Sequence, residues 1–192
     1  IPLSPRLAHM VAVASDAGDA MTGARIAAVL SEPGLGGSSI DLADRLIGLE
    51  RDRTQRARDS IKLAERWARA AGGGSGRTID PGLLLAEAFP ERIARAKGRP
   101  GELLLASGRG ALLDATDPLV RESWLAIGEL GGGDARDRVR LAAALDEETL
   151  RARAASPRAA MSSTSRPSCS CRPRARRWCT SRTGAAAPRR PT

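Results

Sequence analysis

The stretch Glu102-Leu-Leu-Leu-Ala-Ser-Gly-Arg-Gly-Ala-Leu-Leu113 decides what kind of fold the second half of this 192-residue chain adopts. Two short apolar runs flank the turn-forming Gly108-Arg-Gly110, a pattern typical of consecutive strands. Similar runs follow, and Gly, Asp and Pro separate them. The apolar runs are Glu102–Ser107, Ala111–Ala115, Ser123–Leu130 and Arg138–Ala144. We therefore predict a small antiparallel sheet or barrel over residues 101–146.

Upstream of that stretch the apolar residues recur at helical spacing. The clearest stripe is Leu7, Met10, Val11 and Ala14. The predicted helices begin at Pro5, near Met21, at Ser39, at Thr54 and at the pair Asp80-Pro81. We expect the fifth helix to extend to Arg95 and the sheet to pack against it. A last helical turn should begin at Leu145–Glu148.

These patterns predict an α+β fold in three parts. A helical bundle spans residues 1–79, a helix and an antiparallel β unit span 80–150, and a tail spans 151–192. The chain has 31 Lys and Arg against 22 Asp and Glu, and its net charge of +9 suggests a nucleic-acid binder. However, the tail holds 11 Arg and no Asp, Glu or Lys, which leaves 20 basic and 22 acidic residues in 1–150. All of the excess positive charge therefore lies in the tail.

The tail lacks Leu, Ile, Val and Phe, so we expect it to be disordered. It has three interpretations. The first is a basic arm that binds nucleic acid by counterion release. The second is a metal or redox site built from Cys169, Cys171 and Cys179. The third is an out-of-frame translation of GC-rich coding sequence. The abrupt loss of every branched aliphatic residue favours the out-of-frame interpretation.

A run of cations surrounds the fourth predicted helix. Its members are Arg51, Arg53, Arg56, Arg58, Lys62, Arg66 and Arg69. One interpretation is a solvated helix face, partly offset by neighbouring acids such as Asp59 and Glu65. The other is a strip that faces phosphates.

Catalytic motifs are incomplete in this sequence. Ala71–Thr78 superficially matches a P-loop, but Ala71 replaces the first Gly, Arg77 replaces the Lys, and a helix precedes it where a strand is needed. We interpret it as a linker. His9, the single histidine, lies in an apolar helix and is expected to pack rather than to act as a base. No Ser–His–acid or paired-carboxylate arrangement stands out.

The ends and apolar runs of the chain bear on its location. No stretch approaches the roughly 20 apolar residues of a membrane span, and no secretory leader opens the chain. We therefore expect a cytoplasmic protein without a membrane partner. Because the chain begins at Ile1 rather than Met, we also expect it to be a piece of a longer protein.

Several segments resemble the bacterial HrpB-type ATP-dependent helicases, relatives of the DEAH-box RNA helicases. The resembling segments are Ser4–Met10, Leu83–Arg95, Glu102–Leu113, Trp124–Leu130 and Arg138–Asp146. Three positions depart from the family pattern: Ser4 replaces a His, Leu103 an aromatic residue and Ser107 an Asn. The tail departs from it altogether.

The resemblance implies a place for the chain in a parent enzyme. It corresponds to the helical bundle and OB-like domain that follow two RecA-like motor lobes and close over the exit of the single-strand channel. The motor residues that bind ATP and Mg lie upstream, so the resemblance supplies no catalytic residue and no cofactor here. The implied partners are those lobes and single-stranded RNA or DNA.

Three functions compete on this basis. The leading hypothesis is an accessory portion of a helicase that guides the strand, in which Arg95, Arg99 and Arg109 of an OB-like barrel follow phosphates. Binding should be weak because an aromatic stacking platform is lacking. The alternative is a protein-interaction module without intrinsic nucleic-acid function. A stand-alone enzyme is the third, and the incomplete motifs argue against it.

Overall fold

Four helices occupy the first part of the chain in the computed structural model, which describes residues 3–73, 78–132 and 137–155. They are α1 (Pro5–Asp16), α2 (Ala20–Ser31), α3 (Leu42–Arg51) and α4 (Gln55–Ala70). The predicted stripe of α1, from Leu7 to Ala14, is buried as expected. The helical character of this half is confirmed, but His9 is exposed, so the expectation that it packs in the core is wrong.

Helix starts follow the predicted caps in two cases and differ in one. Thr54 accepts a hydrogen bond from the N–H of Ala57 at 3.2 Å, and Asp80 accepts one from Gly82 at 2.8 Å. The third helix, however, is capped by Asp41 rather than by Ser39. The cause is long-range pairing: the Ile40 carbonyl accepts the N–H of Ala142 at 2.8 Å, which keeps the chain extended past Ser39.

The predicted helix from Asp80 to Arg95 is too long. Helix α5 covers Pro81–Ala88, and a 3₁₀ turn at Pro90–Arg92 leads into strand β1, Ile93–Ala96. Residues of β1 pair with strands on both sides, and this ladder overrides their local helix propensity. The sequence pattern therefore misses one strand.

The β half is a closed five-stranded barrel. Its strands after β1 are β2 (Glu102–Leu105), β3 (Gly110–Leu112), β4 (Trp124–Gly131) and β5 (Asp137–Ala144). The order is β1-β2-β3-β5-β4, and β4 pairs with β1 to close the ring. The prediction of an antiparallel unit is only partly right, because β3 and β5 run parallel. Strand β5 runs antiparallel to β4 on one side and lies parallel to β3 on the other side. This barrel is consistent with the OB-like expectation.

Two apolar clusters support this architecture. One fills the barrel interior, and its residues include Leu103, Leu125 and Val139. The other joins the helices to the outer surface of β4 and β5, where Ala126 and Leu141 are buried. Helices and barrel thus share a core, and all described residues lie within one compact unit. The division between residues 1–79 and 80–150 stays a prediction.

The described chain ends in helix α6, Glu147–Ala155, where the sequence predicts a last helical turn. The first five residues of the predicted tail are therefore helical. The remainder of the tail, with its three cysteines, lies outside the described residues. The three interpretations of the tail stay open.

Candidate nucleic-acid interface

Arg95 lies on the outer surface of the barrel. Ala94, its neighbour on β1, points into the barrel core, and side chains alternate along a strand. Arg95 is opposite Leu104 of β2 and Trp124 of β4, so these three side chains share the outer face. Arg95 is exposed, Leu104 is 37% exposed, and Trp124 is half-buried against the bundle core. The face therefore combines a cation with apolar surface.

Arg99 lies in the tight loop between β1 and β2. The N–H of Lys97 donates to the Glu102 carbonyl at 2.8 Å, and the N–H of Glu102 donates to the Arg99 carbonyl at 3.1 Å. Gly101 has a φ of +80°, and a Cβ there would be 2.5 Å from the Leu113 carbonyl oxygen, so the loop needs glycine at this point. The backbone thus fixes a loop from which the side chains of Lys97 and Arg99 project into solvent.

Lys97 is a further exposed cation of this surface, and it is not predicted from the sequence as a binding residue. The sequence feature that could have identified Lys97 is its place in the same short, glycine-containing loop as Arg99. OB-type barrels bind oligonucleotides with this loop and with the surface of strands 2 and 3. We call Arg95, Lys97 and Arg99, together with Leu104, the barrel face.

Arg109 differs from the other two predicted arginines. It follows the β2–β3 turn, and its Nη2 lies 2.6 Å from Oδ2 of Asp137 at the start of β5. The Asp137 side chain is only 12% exposed, whereas that of Arg109 is 69% exposed. The carboxylate therefore offsets the charge of Arg109 and holds its position. Since Arg99 and Arg109 lie beyond opposite ends of β2, the structure does not bring all three predicted arginines together.

The 3₁₀ turn just before β1 makes contacts that hold β1 in place. Arg92, just before β1, donates from Nη1 to the Gly128 carbonyl at 2.7 Å. Gly128 lies where the β4–β5 register shifts, so this carbonyl finds its partner in a side chain. The guanidinium of Arg92 also lies 4.5 Å from the centre of the Phe89 ring, a cation–π contact.

Glu91 lies in the same 3₁₀ turn and forms an ion pair with the first helix. Burial by itself raises the pKa of Glu91, but its hydrogen bond to Arg6, its own backbone N–H and the nearby charges of Arg6 and Arg92 together lower that pKa. Glu91 is therefore ionised near neutral pH and pairs with Arg6 of α1. These contacts attach the segment that leads into Arg95 to the first helix.

None of the described segments contains a group of three or more His, Cys, Asp or Glu side chains that could hold a metal ion. The glycine-rich stretch after α4 follows a helix rather than a strand, and its residues 74–77 lie outside the described part. In the described segments no helix is long and apolar enough to cross a membrane.

Comparison with known proteins identifies the relatives of this chain. No family model matches it. The ATP-dependent RNA helicase HrpB of Escherichia coli strain K12 is 39% identical over 141 residues, which is 73% of this chain and 17% of that protein. The chain is homologous to the C-terminal region of HrpB-type helicases.

Solved structures agree with this relationship. A crystal structure of the E. coli DExH-box NTPase HrpB matches with a TM-score of 0.65 and 33% identity, over 78% of this chain and 18% of that one. A second crystal structure, of the E. coli DEAH/RHA helicase HrpB, matches with a TM-score of 0.62 and 32% identity over 76% of this chain. The resemblance to HrpB-type helicases in the sequence is thus confirmed. The chain spans less than a fifth of the length of these relatives.

Proposed function

We propose that this chain is the accessory portion of an ATP-dependent helicase. In this role it guides single-stranded nucleic acid, which we propose is RNA, behind a RecA-like motor. The observation that carries the proposal is the barrel face, where exposed cations project from β1 and from the β1–β2 loop of an OB-like barrel. The homology to a named RNA helicase supports the choice of substrate class. In the parent enzyme, ATP and Mg would supply the driving reaction in the motor lobes.

The residues of this chain would act by binding and orienting the strand. Arg95, Lys97 and Arg99 would contact phosphates, which position a strand without reading its sequence. Leu104 and the exposed part of Trp124 offer apolar surface to the bases beside Arg95. Trp124 thus partly supplies the aromatic surface that the sequence was expected to lack. Its half-buried ring still limits stacking, so the weak binding predicted from the sequence remains the expectation.

A salt titration of single-strand binding tests the proposal. The full chain and its Arg95→Gln/Arg99→Gln variant are titrated with a fluorescent single-stranded oligouridylate at increasing salt. Each phosphate contact contributes roughly −0.7 to the slope of log K against log salt. Loss of two contacts should therefore make the slope shallower by about 1.4. An unchanged slope would contradict the proposal.

Arg109→Gln, compared with the single variants Arg95→Gln and Arg99→Gln, is the control for this titration. Arg109 lies in the same barrel and is also exposed, but Asp137 already compensates its charge. We expect a change in slope well below the roughly 0.7 of each single variant. A larger change for Arg109→Gln would place the phosphate path at the other end of β2.

A protein-interaction module is the second candidate function. The observation that favours it is Ile47, which projects from α3 of the bundle and is 45% exposed. A protein partner would bury this side chain, and its binding would depend little on salt. Two results together would favour this candidate. The chain would bind the motor lobes of a matching parent and lose that binding in Ile47→Asp, and no variant would bind oligouridylate.

A further inference from the structure

Helix α4 exposes a row of cations that the barrel face does not include. The row consists of Arg58, Lys62, Arg66 and Arg69, and we call it the α4 strip. The opposite side of α4 is buried through Ala57, Ser60, Ala64 and Ala68. Positions 58, 62 and 66 are four residues apart, so they follow one side of the helix at about 6 Å intervals along its axis.

The cations of α4 fall into two structural groups. Arg56 is occupied within the protein, since it donates to the Glu32 carboxylate at 3.1 Å and to the Pro33 carbonyl at 2.8 Å. In the strip, Lys62 is 3.9 Å from Asp59 and Arg69 is 4.0 Å from Glu65, long and exposed contacts that stabilise little. Within the described part of the chain, Arg58 and Arg66 have no ion-pair partner.

The composition of the strip indicates the chemistry of its partner. Protein interfaces are enriched in Arg as well as in aromatic residues, but their binding energy comes from anchors buried in well-packed, desolvated pockets. Among the described residues, the exposed large hydrophobic side chains are Ile47 and Leu104, and neither belongs to α4. A row of cations without an apolar anchor instead suits a phosphate backbone.

We propose that the α4 strip is a second contact for the phosphate backbone of nucleic acid, separate from the barrel face. Helix α4 packs against α2 and α1, whereas the barrel packs against α5 and α3, so different parts of the fold carry the two surfaces. The proposal rests on the proposed function for the nature of the polyanion. Its consequence is that a long strand engages the chain at two places.

Charge variants of α4 test this proposal in both directions. The full chain is titrated with a long single-stranded oligouridylate, as above. Arg58→Gln/Arg66→Gln should make the salt slope shallower by about 1.4, because two phosphate contacts are lost. Asp59→Asn/Glu65→Gln should instead tighten binding, because two repelling carboxylates are removed. Circular dichroism verifies that each variant remains helical, and the second pair still tests the strip if the first pair unfolds.

The control separates a specific strip from a general effect of net charge. Arg121→Gln/Arg138→Gln removes the same charge at exposed positions outside both surfaces. An equal change in this control would overturn the α4 proposal. If the barrel variant loses affinity while both α4 variants match the unmodified chain, the α4 proposal fails and the proposed function stands. If the α4 variants alone respond, the strip is confirmed and the barrel assignment fails.

Discussion

The helical bundle and the barrel bury side chains of different size. Helices α1 and α2 approach so closely that a Cβ on Gly23 would be 2.6 Å from the Cβ of Ala14. Alanine is frequent among the buried residues of the bundle, whereas the barrel interior holds many leucines. The bundle therefore depends on small residues that permit close helix contact, and the barrel depends on bulk that fills a ring of strands. Opposite substitutions should break the two regions.

Removing bulk from the barrel should give the largest loss. Leu125 of β4 is fully buried in the barrel interior. Leu125→Ala leaves a cavity, and we expect the free energy of unfolding to fall by about 3 kcal/mol. Urea denaturation measures this change, with Leu104→Ala on the outer surface as control and an expected loss below about 1 kcal/mol. Equal losses at the two positions would contradict the distinction between the inside and the outside of the barrel.

Adding bulk to the bundle should cost less. The new Cβ of Gly23→Ala meets Ala14, and overpacking of about 1–3 kcal/mol exceeds the gain of about 1 kcal/mol in helix propensity. We expect a net loss of about 1 kcal/mol in the free energy of unfolding. The double variant Gly23→Ala/Ala14→Gly restores the space and should recover part of this loss. If the double variant is less stable than the sum of the two single changes predicts, the close contact does not limit packing.

The same contrast explains what could be predicted from the sequence. Helix starts such as Thr54 and Asp80 are local, because the capping side chain and the backbone N–H that donates to it lie within three residues of each other. Strand β1 and the parallel pairing of β3 with β5 depend on residues far along the chain, which no local pattern contains. The site depends on the same long-range pairing. Arg95 lies on the outer face of the barrel because β1 pairs with β2 and β4, a strand that the predicted helix to Arg95 missed. The pairing of Arg109 with Asp137 likewise appears only when β5 lies beside β3.

The choice of cap for α3 offers a smaller test of local against long-range control. Thr54→Ala removes the hydrogen bond to Ala57 and should cost about 1 kcal/mol. Ser39→Ala should cost less, because Asp41 caps α3 by accepting the N–H of Ala43 at 2.8 Å. Thermal unfolding of both variants measures the difference. A greater loss for Ser39→Ala would show that the Ser39 hydroxyl, which accepts the N–H of Asp41 and donates to Asp44, stabilises the start of α3 more than the Thr54 cap stabilises α4.

The smallest expected effect compares two helix-capping carboxylates with opposite pKa directions. Burial raises the pKa of Asp41, the hydrogen bond from Ala43 lowers it, and the charges of Asp44 and Asp117 raise it further, with a net upward shift. The side-chain and backbone hydrogen bonds from Thr149 lower the pKa of Asp146. Both shifts are relative to a value of 3.8.

These directions give opposite dependences of stability on pH. Ionisation of Asp41 is less favourable in the folded state than in the unfolded state. The protein therefore loses stability as the pH rises from below 3.8 through the raised pKa. Ionisation of Asp146 is more favourable in the folded state, so its contribution is present above 3.8 and is lost as the pH falls through the lowered pKa. Near neutral pH, Asp41→Asn should therefore raise the Tm slightly, since Asn keeps a cap acceptor without the charge. Asp146→Asn should lower it, and both differences should shrink in acid. Melting curves from neutral to acidic pH measure the two differences, and a shared sign at neutral pH would show that burial does not distinguish these two caps.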